Sequence, residues 1–238
     1  MLRLFLVFLT FFAATLFAGT LPSQTAATLL ETTGKEGVVN IGNLPKGMSG
    51  IVIHSFDDNH EAIVALATVT ESEAGRSKVR FSPFTALSNP KLPTLKAEPQ
   101  SGDRVILGYL YDRVLPIVPN GRSLKKAKES FGDLDFVHPD LFAVELASER
   151  DALPHRNNFQ KICTKLHLGL VMFMFKEGTD FIDCVSWEKV AQSETGAAEG
   201  ELTPPFYNRF GEIEPPFYDF SDYKLKNFDK FYKQVEKE

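Results

Sequence analysis

Between residues 50 and 119 the chain is cut into short β-branched, apolar runs by tight polar turns, a pattern that excludes an all-helical fold. GIVIHSF, the turn DDNHE and AIVALATVT read as strand, turn, strand. A second polar turn, ESEAGRS, leads into KVRFSPF, whose apolar and polar residues alternate as in a half-buried strand. Pro90, Pro93 and Pro99 then predict an extended connection, because proline removes a helical hydrogen bond. QSGDRVILGYLYDRVLPIVPN predicts a hairpin with one strand over 104–111 and a return strand after Asp112 and Arg113. Five such strands predict a small antiparallel sheet or a partly open barrel.

The second part of the chain has a different texture. Ser123 can cap a short helix over 124–130, and a helix is expected over 139–147. Asn157 or Asn158 can cap a third, carrying Phe159, Ile162 and Leu166. LGLVMFMF is continuously apolar, which predicts a strand buried on both faces, with 180–185 returning as its hairpin partner. The fold class is therefore α+β: a β-rich unit over 46–120 packed with an α/β unit over 121–190 that contains this central hairpin. Residues 19–45 read as a loose leader, and AQSETGAAEG at 191–200 reads as a linker. Beyond the linker, PPFY at 204–207 recurs at 215–218 and is expected to staple the tail to the domain surface. In KLKNFDKFYKQVEKE, Leu225, Phe228, Tyr232 and Val235 share one helical face, which predicts an amphipathic, lysine-rich helix.

The first eighteen residues, MLRLFLVFLTFFAATLFA, have the order of a secretory signal peptide: one cation, an apolar run, then small residues. Cleavage is expected between Ala18 and Gly19, because the run is short for a membrane span. Export gives the two cysteines, Cys163 and Cys184, an oxidising compartment, where an even pair predicts one disulfide. The whole chain carries 26 cations against 31 anions; losing Arg3 with the signal makes it 25 against 31. That balance offers phosphate backbones no electrostatic footprint and disfavours nucleic-acid binding.

Reaction motifs are absent from the sequence. There is no HExxH, GxSxG, Walker loop or GxGxxG, and His54, His60, His138, His155 and His167 are scattered. Asp57, Asp58, Asn59, His60 and Glu61 are the densest cluster of potential metal ligands, yet they have the composition of a turn between strands. The sequence predicts no catalytic residue, no metal site and no cofactor. The lysine-rich helix over 224–238 can meet an anionic membrane surface peripherally, or present its lysines to a protein partner.

Several segments together resemble the N-terminal domain of the bacterial plasminogen-binding protein A family. They are KVRFSPF followed by LPT, SGDRVILGYLYDRVLPIVPN, DLDFVHPDLFAVEL, NFQKICTKLHLGLVMFMF with DCVSWE, and TPPFYNRFGEIE. The resemblance implies an exported, non-enzymatic protein of the cell surface or periplasm that binds host plasminogen through lysine-recognising kringles. A kringle site wants a cation and a carboxylate at a fixed separation, which a C-terminal lysine supplies. Here the residue after Lys237 is Glu238. The expected binding elements are therefore Lys230, Lys233 and Lys237, with Asp229 or Glu236 pairing Lys233 on one helix face, or Lys237 exposed by removal of Glu238. The other expectation is a periplasmic structural or assembly factor whose partner is another envelope protein.

Overall fold

The computed structural model describes residues 21–85, 91, 97–211, 213 and 225–238. The expected signal peptide, Pro90, Pro93, Lys224 and the second PPFY copy lie outside the described residues.

Six antiparallel strands form a closed barrel: β1 (Thr25–Thr33), β2 (Glu36–Val39), β3 (Ser49–Asp57), β4 (His60–Glu73), β5 (Arg76–Ser82) and β6 (Arg104–Leu107). Alternation places one side of each strand inside, so Leu29, Val39, Val52, Val69, Val79, Val105 and Leu107 fill the interior. Two of these strands come from the segment expected as a loose leader. Residues 25–39 are rich in Thr and Glu because only one face is buried, while the pairing of β1 with β6 closes the cylinder. The expected small antiparallel sheet or partly open barrel is thus a closed barrel.

The hairpin expected across 104–119 does not form. Its two arms enter different sheets, because Gly108 (φ 67°) and Leu110 (φ 64°) both take the left-handed region and turn the chain out of the barrel. A side chain at Gly108 would also meet the Met48 Cε at 2.8 Å. The chain continues as β7 (Arg113–Ile117), α1 (Gly121–Ser130), β8 (Asp135–Phe136), α2 (Asp140–Glu149), α3 (Arg156–Leu166), β9 (Leu170–Met174), β10 (Thr179–Asp183), β11 (Lys189–Ser193) and α4 (Phe228–Val235). The strands build a second, mixed sheet in the order β11-β10-β9-β7-β8. β7 runs parallel to β8 and β9, a pairing that requires helical crossovers, and β9 with β10 is the central antiparallel hairpin.

Helix starts differ from expectation by a few residues. Asn120, not Ser123, caps α1, its side chain accepting from the Ser123 N–H at 2.9 Å. His155 is the N-cap of α3, and Asn158 sits inside the helix, its Oδ1 accepting from the His155 N–H at 2.8 Å. The expected linker continues into β11, and Ala198 docks on α1 by donating its N–H to the Ser123 hydroxyl at 3.0 Å.

The apolar run of β9 is explained by what covers each face. Leu170, Met172 and Met174 join the core that is continuous with the barrel interior and α1, together with Val114, Leu124 and Phe181. Val171, Phe173 and Phe175 face the opposite way, into a second core with Phe142, Leu146, Phe159 and Ile162 of α2 and α3. Cys163 and Cys184 are bonded, with Cα atoms 5.9 Å apart, and tie α3 to the end of β10.

One buried carboxylate joins the barrel to this sheet. Asp183 is fully buried; its Oδ2 accepts from the Ser49 N–H (3.1 Å), the Ser49 hydroxyl (2.5 Å) and the Tyr111 hydroxyl (2.7 Å). Its Oδ1 accepts from the N–H groups of Val185 (2.8 Å) and Ser186 (2.7 Å). Burial, followed by the neighbouring Asp183 charge, pushes the Tyr111 hydroxyl pKa far up, so it stays a donor.

Candidate functional site

The tail helix is the element on which the expected partner-binding residues stand. Its start is fixed locally: the Asn227 side chain accepts from the Lys230 N–H at 2.9 Å, and Asp229 lies in the first turn, where a carboxylate complements the helix dipole. The expected apolar face then seats on the protein itself. Leu225, Phe228, Tyr232 and Val235 are buried in the second core. Tyr232 has its ring 5.3 Å from that of Phe173 and donates its hydroxyl to the Pro205 carbonyl at 3.0 Å. The Trp187 indole N–H donates to the Val235 carbonyl at 3.1 Å.

This docking settles what the helix can offer to a membrane. Leu225, Phe228, Tyr232 and Val235 are packed against the second core, so that face is turned away from any membrane, while Phe231 is half-buried. The first PPFY copy contributes to the same seat. Phe206 is fully buried and stacks on Phe142 at 5.4 Å, while the Tyr207 N–H donates to the Val118 carbonyl at 2.8 Å.

With the apolar face inward, Lys230, Lys233 and Lys237 are exposed. Lys230 and Lys237 have no ion-pair partner among the described residues, and the Lys233 ammonium lies 5.1 Å from the centre of the Phe175 ring. The expected carboxylate partners are placed less favourably. Asp229 accepts from the Lys176 N–H at 3.1 Å, which occupies one of its oxygens. Glu236 turns inward toward Asp180, and its Oε1 is buried without a hydrogen-bond partner among the described residues. Glu236 is thus half-buried and turned toward Asp180, with Lys233 among the charges that act on it. Glu238 is engaged too: its carboxylate accepts from the Arg156 N–H (3.0 Å) and lies 2.9 Å from the His155 Nδ1, at the start of α3. Burial disfavours its ionised form, but these bonds outweigh that and hold its carboxyl below the usual range.

The placement of Glu236 has a pH consequence. Burial, and next the charge of Asp180, push its carboxyl up to about 7, while Lys189 and Lys233 pull the other way. Asp180 is itself held by the Lys189 ammonium at 3.2 Å. Between the ordinary value of 4.5 and about 7, the folded protein holds a proton that the unfolded chain has lost. Stability from this group is thus full below the ordinary value and falls as pH rises through that window. Glu236→Gln is expected to stabilise the protein at pH 8 by about 1–2 kcal/mol, after allowing for partial solvent screening, and by nearly nothing at pH 4. Urea denaturation of both proteins at the two pH values checks this, and equal differences at both would refute it.

The Asp57 turn behaves as turn chemistry. Asp57 Oδ1 accepts from the Asn59 N–H at 2.9 Å and lies 2.8 Å from the His60 Nδ1, closing its own loop, while Glu61 accepts from the Arg104 guanidinium at 2.7 Å. The residues that sequence reasoning missed are Asp183, Ser49 and Tyr111. Their signal was a carboxylate flanked by apolar residues in TDFIDC, where a charge can be buried only if it is fully bonded.

Two curated relatives, each named plasminogen-binding protein PgbA and coming from two strains of Helicobacter pylori, are 22% identical over 193 residues. The matched region is 80% of this chain but 42% of each relative, so the chain spans less than half the length of the proteins it resembles. A family model described as plasminogen-binding protein pgbA N-terminal matches residues 24–235, which is nearly everything from the first barrel strand to the end of α4, and the chain belongs to that family.

Proposed function

We propose that this protein is an exported, non-enzymatic interaction module of the cell envelope that binds plasminogen through lysines of α4. One observation carries the reading: the helix is held by its apolar face, which leaves Lys230, Lys233 and Lys237 on an exposed and rigidly seated surface. A rigid display lowers the ordering cost a partner must overcome on binding. The Cys163–Cys184 bond suits an oxidising compartment outside the cytoplasm.

A second reading, a structural or assembly role in the periplasm, is favoured by a different observation. Both acidic residues nearest the end of the tail, Glu236 and Glu238, are engaged with the domain rather than offered to a lysine-binding pocket. The two readings separate in one measurement on immobilised plasminogen. The first expects saturable binding that 6-aminohexanoate abolishes and that the triple variant Lys230→Ala, Lys233→Ala, Lys237→Ala weakens at least tenfold. Binding that is absent, or indifferent to both changes, overturns it and leaves the envelope role.

A further inference from the structure

Away from the tail, one concavity differs from the rest of the surface in its chemistry. A cleft of about 220 Å³ opens between the barrel and the α3 end of the mixed sheet. Ile51, Ile63, Leu66 and Phe84 line it from the barrel side, with Tyr109 and the Cys163–Cys184 disulfide opposite. None of its lining residues is Asp, Glu, Lys or Arg, although such residues make up 24% of the chain. A charged ligand entering this site would surrender hydration without meeting a counter-charge, so the wall selects a neutral occupant.

Size and wall chemistry narrow the occupant further. A dry apolar cavity of roughly 150 Å³ binds benzene, so a cleft somewhat larger takes a fused two-ring molecule. Aromatic rings of Phe84 and Tyr109 and the polarisable disulfide in the lining favour a flat ring over a branched aliphatic group. Ser49, which also lines the cleft, already donates its hydroxyl hydrogen bond to Asp183 at 2.5 Å. His167 has not been spent in this way. It ends α3 in the left-handed region (φ 52°), is exposed, and its ring makes no hydrogen bond to any described residue. We propose that this cleft binds a small, neutral, ring-containing molecule of one or two fused rings, with the His167 imidazole hydrogen-bonding its one polar atom.

Indole is the probe, titrated into the full chain and followed by two-dimensional amide NMR. Saturable shifts at the cleft with a Kd on the order of 0.1–1 mM are expected for a ligand of this size. Indole-3-carboxylate, which differs by one negative charge, is expected to bind at least tenfold more weakly. Ile63→Trp should fill the cleft and cost at least tenfold in indole affinity; Leu66→Phe is the milder second variant if the first fails to fold. His167→Ala should weaken indole at least threefold while leaving naphthalene, which has no polar atom, unchanged. No saturable shift with indole overturns the proposal. So does wild-type affinity in a folded filling variant, or equal binding of the carboxylate.

Discussion

Asp183→Ala is expected to destabilise the protein by about 3–5 kcal/mol, because several buried neutral donors lose their acceptor at roughly 1–3 kcal/mol each. Five donors end on this carboxylate, and three of them, the Ser49 N–H, the Ser49 hydroxyl and the Tyr111 hydroxyl, come from the barrel side of the junction. Alanine would leave the two hydroxyls buried without this acceptor and the Ser49 N–H with only its longer 3.3 Å bond to the Tyr111 hydroxyl, and an unmade buried bond costs more than a made one contributes. Tyr111→Phe removes a single donor and should cost about 1.5–3 kcal/mol, the range for a bond to a charged group. Urea unfolding of the three proteins at neutral pH measures both. A loss under 1 kcal/mol for Asp183→Ala would mean that the junction is held by apolar packing alone.

Tyr232→Ala carries the second large effect, about 3–5 kcal/mol, as for other fully buried aromatic side chains cut to alanine. The ring is wholly buried, 4.6 Å from Phe228 and 5.3 Å from Phe173, and its hydroxyl is the one that reaches Pro205. Tyr232→Phe keeps the packing and loses only that bond, so it should cost about 1 kcal/mol. Calorimetric melting of the pair distinguishes the two contributions. If the two variants melt together, the ring is not what seats α4.

Where burial imprints a period on the sequence, the fold was legible. The unbroken apolar run of β9 announced a strand covered on both sides, and 225, 228, 232 and 235 announced the inner face of α4. The cysteine pair needed only an oxidising compartment to be read as a bond. β1 escaped because half of its nine residues face solvent, and Thr and Glu there look like a leader until the strand is seen to close the barrel. The 104–119 hairpin misled because two left-handed residues, one of them the non-glycine Leu110, redirect the chain where the pattern suggests a simple return. Glu236 escaped for a related reason: on a helix otherwise rich in surface lysines, nothing local marks the one acid that faces Asp180.

β9 serves two cores at once, with Leu170, Met172 and Met174 on one side and Val171 and Phe173 on the other. The shared strand couples the two cores, so the barrel and the second core are expected to melt together in a single transition. A ligand that grips only the outer face of α4 therefore raises the melting temperature of a barrel it never touches.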